Sequence, residues 1–322
     1  MNSEKLKIVI LDAGSIGDDI DYGIFSKFGE VTVYQSTTPE EFPEKAKDAH
    51  IILQNKYKLN KESLIHAPNL RLVCEAATGF DNIDVEFCRE KSVAVTNVPG
   101  YSTECVAQLT LAMVLQIIMH LPEYTKYVSD GSYTASGAAN RLTPQFNELC
   151  GKTWGIVGLG NIGRKVAEIA KVFGCQVIAC KREPVDDIKC TDIDTLCREA
   201  DIISLHTPLN EATRGMIGEK QLSLMKKNAI LVNVARGAVL DEGAVANAVL
   251  SGRIAGFGCD VYSAEPFPAS HPYVKIAALP NVCMTPHIAW GAFETRTRLI
   301  GEMAKNIEAF LNGEERNRVE IL

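Results

Sequence analysis

The chain has 322 residues, longer than one hydrophobic core usually serves, so two domains are expected. Hydrophobic residues make up 46% and charged residues 23%, the balance of an ordinary soluble globular protein. Against 33 Lys and Arg stand 40 Asp and Glu, a net charge of −7 that disfavours a nucleic-acid partner. The opening MNSEKLKIVILD holds too short an apolar run for a signal peptide. The longest apolar stretch, 105–119, is interrupted by Gln108, Thr110 and Gln116 and falls short of the ~20 residues of a membrane span. Ten scattered cysteines without a C-x-x-C pair read as reduced thiols, several of them buried, so a cytoplasmic protein without a membrane partner is expected.

In chain order, strands are expected at residues 7–11, 31–34, 51–54, 70–74 and 93–96. Helical or turn-rich stretches such as 39–49 and 61–67 separate them, an alternation that indicates a parallel, doubly wound sheet. Residues 102–120 read as a long helix capped by Ser102 or Thr103. It is apolar nearly all round, so burial on more than one side is expected. The segment 130–147, rich in Ser, Ala, Thr and Asn, lacks strong periodicity and is either a linker or an arm that packs on something else. Strands then recur at 153–157, 176–180, 202–205, 229–233, 256–260 and 282–285. Asp241 is placed to cap a helix that ends just before Gly252. In 291–312 the spacing of Leu299, Ile300, Met303, Ile307, Phe310 and Leu311 predicts an amphipathic helix. The expected fold class is α/β, with two doubly wound, parallel-sheet (Rossmann-like) domains.

Gly158, Gly160 and Gly163, with Asn161 and Ile162 between them, form a G-x-G-x-x-G motif. It stands after the strand TWGIV and opens the pattern RKVAEIAKVFG, the context that dinucleotide binding requires. The glycines permit a tight turn, close approach of a pyrophosphate and close helix–strand packing, with the phosphates over the helix N-terminus. An NAD site would carry Asp or Glu about 20 residues on, at the end of the next strand, for the ribose 2′-hydroxyl. Lys181 and Arg182 stand there instead. Two cations suit a 2′-phosphate, so NAD or NADP is expected, with NADPH favoured.

Three further motifs end strands: Asn233 to Gly237 (NVARG), Asp260 to Pro266 (DVYSAEP) and Thr285 to Trp290 (TPHIAW). The ligand crevice of an open α/β sheet lies at such strand ends, so Arg236, Glu265 and His287 can converge. Singly, an arginine there is usually a surface cation and a histidine often a satisfied core residue. Jointly, beside a dinucleotide motif, they read as a catalytic set. Nothing suggests a metal: there is no H-E-x-x-H, no paired Cys and no EF-hand loop. His50, His66, His120 and His271 belong to no motif and are assigned no role.

With GLGNIG and NVPGYSTECVAQ, these motifs resemble the D-isomer-specific 2-hydroxyacid dehydrogenase family across essentially the whole chain. NVPGYSTECVAQ and LQNKYKL resemble its hydroxypyruvate reductase/glycerate dehydrogenase branch. The resemblance implies reduction of a small 2-oxo acid, such as hydroxypyruvate or glyoxylate, to the D-2-hydroxy acid. It implies that Arg236 binds substrate and that Glu265 and His287 donate the proton. The chemistry agrees: Arg236 is a permanent planar cation, and His287 is the one member able to exchange a proton near neutrality. Glu265, if hydrogen-bonded to His287, would orient the ring and favour its protonated form.

The resemblance also places Thr78 and Gly79 at the substrate, and Lys56 in QNKYK could assist them there, although an exposed lysine is the commoner outcome. It places Thr103, His206, Thr207, Pro208 and Asp260 at the cofactor, with Val234 and Ala235 beside Arg236. It implies a discontinuous catalytic domain, 1–100 plus 290–322, and a dinucleotide domain, 101–289, with a cleft between them that closes on the substrate. Helix 102–120 and the arm after it would form a homodimer. A same-family enzyme for another 2-oxo acid, or a dinucleotide-sensing corepressor on this fold, are the alternatives.

Overall fold

The structure, a computed structural model, describes residues 5–183 and 185–321. It divides into two compact units, Met1–Ser102 with Gly291–Leu322, and Thr103–Trp290. The boundaries fall at 102/103 and 290/291.

In the first unit, β1 (Lys7–Ile10), β2 (Glu30–Val33), β3 (Ile51–Gln54), β4 (Leu72–Glu75) and β5 (Ala94–Thr96) form a five-stranded sheet. Its order is β2-β1-β3-β4-β5, and every pairing is parallel. Strands β3 and β4 are buried at every position, as expected of parallel strands covered on both faces, whereas β2 lies at the edge and is largely exposed. The helices α1 (Phe42–Ala46), α2 (Lys61–Leu64) and α3 (Val85–Glu90) are short. Both α1 and α2 are shorter than the stretches predicted for them. Pro68 biases the residue before it away from helix, and α2 ends in turns well short of 67. Asn60 and Ser63 cap α2 reciprocally.

In the second unit, β6 (Thr153–Val157), β7 (Gln176–Cys180), β8 (Lys189–Cys190), β9 (Ile202–Leu205), β10 (Ile230–Asn233), β11 (Gly256–Cys259) and β12 (Val282–Met284) form a parallel sheet. Its order is β12-β11-β10-β9-β6-β7-β8. The two-residue edge strand β8 is too short to leave a periodic signal, and the sequence reading lacks it. The unit's helices are α4 (Thr103–Ile118), α5 (Leu121–Ser129), α6 (Ser132–Ser136), α7 (Asn161–Val172), α8 (Ile193–Glu199), α9 (Glu219–Leu224) and α10 (Glu242–Leu250). Asp241 caps α10 by accepting from Ala244 N, and Gly252 follows its end with φ +65°.

Burial on α4 is narrower than its composition suggests. Val106, Ala107, Thr110, Met113, Val114 and Ile117 form one buried face, while Leu109, Leu111 and Leu115 are only half-buried. The following segment is more ordered than its composition predicts. Helix α5 starts with Pro122 in its first turn. Beyond α6 the chain folds back so that Tyr124 Oη donates to Pro144 O and Arg141 lies 4.1 Å over the Tyr127 ring.

The last helix, α11 (Phe293–Leu311), belongs to the first unit and buries Leu299, Met303 and Ile307 completely. After it the chain bonds to β5: Val319 N donates to Val95 O, and Val95 N donates to the Glu320 carboxylate. These bonds make the first unit discontinuous. All ten cysteines are unpaired, five of them buried. Among the described residues, no single helix is long and apolar enough to cross a membrane.

Candidate active site

The register of three neighbouring strands sets up the site in the second unit. Asn233 of β10 pairs with Cys259 of β11, and Cys259 with Met284 of β12. The segments carrying Arg236, Glu265 and His287 therefore leave the sheet side by side. Arg236 has extended backbone and is half-buried. The completely buried Asn233 holds this turn, donating from Nδ2 to Arg236 O at 2.9 Å and accepting from Ala235 N at 3.0 Å. Gly237 follows, and a Cβ there would lie 2.0 Å from Tyr262 C and 2.2 Å from Ser263 N. Only glycine lets the Arg236 segment come this close to the one carrying Glu265.

His287 Nδ1 and Glu265 Oε2 are 2.6 Å apart, both side chains partly open to solvent. A carboxylate accepts, so Nδ1–H is the donor and Nε2 faces away from the pair. The other Glu265 oxygen accepts from Tyr262 N at 3.0 Å, and Tyr262 Oη donates to Thr285 O at 2.8 Å. Tyr262 thus joins the segment of the acid to the segment of the histidine. His287 itself sits at φ +56°, a strained conformation for a non-glycine residue that persists only where its surroundings impose it. Asp260 imposes it. Wholly buried, its carboxylate accepts from Thr285 Oγ1 at 2.6 Å and from Ile288 N and Ala289 N at 2.8 Å each. Burial pushes the Asp260 carboxyl up, against the pull of these three bonds.

A second group of side chains holds the Glu265 segment. Glu242, at the start of α10, accepts from Ser263 N and Oγ, and His271 Nε2 lies 2.9 Å from its Oε2. Since His271 Nδ1 accepts from Tyr273 N, its proton is on Nε2 and is donated to Glu242. Phe267 stacks on His271 with ring centroids 4.8 Å apart. The sequence reading gave none of these residues a role. Their partners are remote in sequence, and a lone His or Glu carries no spacing signal.

At the other half of the same sheet edge lies the glycine loop. Gly158 has φ +91°, and a Cβ would lie 2.7 Å from Thr207 N and 2.8 Å from His206 O. Gly163 packs against Gly158 O, while a Cβ on Gly160 would meet nothing within 4 Å. Asn161 and Ile162 begin α7. Val157 of β6 pairs with Cys180 of β7, so Lys181 and Arg182 emerge beside this loop, the first half-buried and the second exposed. Ser204 Oγ receives Trp154 Nε1–H and lies 2.9 Å from His206 Nε2. The Ser204 oxygen can accept from both or donate to Nε2, so this contact holds the ring in place in either tautomer. The His206 Nδ1 is buried and has no hydrogen-bond partner among the described residues. Burial pushes His206 down to about 3, so the ring is neutral. Pro208 O accepts from Thr213 Oγ1 at 2.7 Å, which folds the turn after Thr207. The open face at Gly160 and the unpartnered His206 Nδ1 fit a polar dinucleotide. Val234 is buried and Ala235 half-buried at the end of β10, and Thr103 opens α4.

The remaining expected residues, Lys56, Thr78 and Gly79, lie in the first unit. Asp12 there accepts the main-chain N–H groups of Asn55, Lys56 and Tyr57, fixing the turn that carries Lys56. Thr78 Oγ1 donates to Val98 O, and Asn97 Nδ2 donates to Thr78 O, fixing the loop that carries Gly79. Among the described residues no group of His, Cys, Asp and Glu is arranged to hold a metal ion.

Residues 111–289 match the family described as D-isomer specific 2-hydroxyacid dehydrogenase, NAD binding domain. A glycerate dehydrogenase of Methylorubrum extorquens is 34% identical over 315 residues, covering 98% of this chain and 99% of that protein. A hydroxypyruvate reductase of Blautia hydrogenotrophica is 33% identical over 323 residues, again covering 98% and 99%. An NADPH-dependent glyoxylate/hydroxypyruvate reductase from Sinorhizobium meliloti, solved with NADP and malonate, superposes with a TM-score of 0.85 at 25% identity, covering 98% of this chain and 97% of that one. The chain belongs to the D-isomer specific 2-hydroxyacid dehydrogenase family, in its hydroxypyruvate reductase-like branch, and is an NAD(P)-dependent oxidoreductase.

Proposed function

We propose that the chain reduces small 2-oxo acids of the hydroxypyruvate and glyoxylate kind to their D-2-hydroxy acids, with NADPH the preferred reductant. The observation that carries this reading is the 2.6 Å contact between His287 and Glu265, at a sheet edge shared with Arg236. Arg236 holds the substrate carboxylate with its forked guanidinium. Glu265 keeps His287 Nδ1–H in place, which leaves Nε2 to deliver a proton to the ketone oxygen. Reduced nicotinamide, when bound, supplies the hydride to C2. With that hydride and the His287 proton the 2-oxo acid becomes the 2-hydroxy acid, and His287 regains its proton from solvent.

The second unit is the dinucleotide domain. Gly158, Gly160, Asn161, Ile162 and Gly163 would hold the pyrophosphate at the start of α7, with His206, Thr207 and Pro208 beside it. Thr103, Val234, Ala235 and Asp260 complete the lining. Lys181 and Arg182, at the end of β7, would pair with a 2′-phosphate, which is the basis for preferring NADPH. In the first unit, the catalytic domain, Lys56 and the main chain at Thr78 and Gly79 contribute to carboxylate binding. A homodimer through α4 and the arm is supported by half-buried Leu109, Leu111 and Leu115 and by exposed Leu121, Val128, Leu142 and Phe146.

Initial rates with hydroxypyruvate, glyoxylate, pyruvate and bulkier 2-oxo acids, each with NADH and NADPH, test this. The highest kcat/KM is expected with one of the first two and NADPH. A higher value with NADH would remove the role of Lys181 and Arg182, and a best substrate outside the first two would change the assignment within the family.

A further inference from the structure

The first unit buries two acids just below the loops proposed to meet the substrate. Glu75 ends β4 and is 1% exposed; Gln54, its register partner at the end of β3, is 0% exposed. The Gln54 amide meets Glu75 Oε2. Asn82 Nδ2 lies 3.4 Å from that oxygen and within 3.3 Å of Gln54 Oε1, Asn55 O and Tyr57 O. One side-chain amide therefore joins the 55–57 turn, the 76–82 loop and the buried carboxyl. Glu75 Oε1 is buried with no hydrogen-bond partner among the described residues. The second acid is Asp12, 8% exposed.

Two carboxylates in one buried layer would repel each other, and their surroundings decide which ionises. Burial raises the Asp12 carboxyl too, but Asp12 accepts three main-chain N–H groups that pull it back towards the anion. Glu75 accepts only from side-chain amides. Asp12 and Asp81 oppose its ionisation and Lys56 alone of the charged groups favours it. Burial, and after it the Asp12 charge, hold the Glu75 proton well above the usual carboxyl range. A protonated Glu75 still accepts from the Gln54 amide and from Asn82, whose Nδ2 also meets Gln54 Oε1.

We propose that Glu75 is a positioning residue for substrate binding and acts as a neutral acid, coupling Gln54 to Asn82 so that the Lys56 turn and the Thr78–Gly79 loop keep one geometry. An ionised carboxyl at this place would put negative charge beneath a loop that receives a carboxylate. The inference rests on the proposed substrate role of Lys56, Thr78 and Gly79. It is distinct from the chemistry at His287, so it predicts effects on KM rather than kcat. It also predicts an effect on stability with a definite sign. Folded Glu75 keeps its proton where unfolded Glu75 has lost it. The folded state is therefore favoured at acid pH, and that advantage falls as pH rises past the ordinary carboxyl value of 4.5.

The test compares the parent with Glu75→Gln, Glu75→Ala and Lys56→Ala, using hydroxypyruvate and glyoxylate as substrates and urea unfolding between about pH 5 and about pH 9. Glu75→Gln, neutral and of the same shape, should keep KM within about twofold, while Glu75→Ala should raise it about tenfold with kcat and the dinucleotide KM nearly unchanged. The parent should lose unfolding free energy with rising pH more steeply than Glu75→Gln. Equal pH slopes in parent and Glu75→Gln, or a KM as poor in Glu75→Gln as in Glu75→Ala, would overturn the neutral-acid role, and the Gln comparison holds even if the Ala variant does not fold. An unchanged KM in Glu75→Ala while Lys56→Ala raises it would overturn the positioning role alone. An unchanged KM in both would instead remove the substrate reading of these loops.

Discussion

At His287 and Arg236 the geometry makes different demands on the two side chains. His287 must be held at one ring nitrogen and open at the other, and the Glu265 contact meets the first condition. In the proposed role Arg236 presents two parallel donors to a carboxylate, which a lysine ammonium cannot do. Arg236→Lys is therefore expected to lower kcat/KM for the 2-oxo acid about a hundredfold while leaving dinucleotide affinity within a few fold. Steady-state kinetics with a direct dinucleotide titration separate these effects. The placement of Arg236, Glu265 and His287 after successive strands was legible in the sequence because each stands in a short motif at a strand end. Asn233 and Asp260 stand in those same motifs, yet their structural work was hidden. Asn233 bonds its own turn, and Asp260 reaches 25 to 29 residues along the chain to the His287 segment. Glu242 and His271 were illegible, since 29 residues separate them and neither lies in a pattern.

Among the elements, the decisive ones are the segments after β10, β11 and β12, which parallel register sets side by side. Asp260 connects the last two by offering acceptors to Thr285, Ile288 and Ala289. An amide in its place turns one acceptor into a donor facing those donors. Asp260→Asn should lower kcat about ten- to a hundredfold, because His287 loses the support that holds its positive φ. A drop confined to KM for the 2-oxo acid would argue against this positioning. The strands β6, β7 and β9 to β12 were readable because buried parallel strands are nearly continuous apolar runs. Three elements were not. Strand β8 has two residues, α5 begins at Leu121 with Pro122 in its first turn after a left-handed His120, and α6 lies in a segment of small polar residues without periodicity. The return of α11 to the first unit leaves no local trace either, since contacts such as Val319 with Val95 join the two ends of that unit.

For the whole molecule, the sequence and the fold give a discontinuous first unit and a continuous second one. The arm after α4 exposes the apolar side chains of Leu121, Val128, Leu142 and Phe146, the basis of the proposed dimer. Sedimentation equilibrium should give about twice the chain mass of 35.1 kDa. Leu142→Asp together with Phe146→Asp should shift the population towards monomer, and a parent that is monomeric at micromolar concentration would refute the dimer. In the proposed reaction, reduction of the 2-oxo acid runs through His287 as proton donor. Chiral analysis of the glycerate formed from hydroxypyruvate and NADPH, by the parent chain and by His287→Asn at matched cofactor occupancy, tests both parts together. The parent should accumulate D-glycerate, and the variant should form it at least about a hundredfold more slowly. Equal rates in the two proteins, or L-glycerate from the parent, would contradict it.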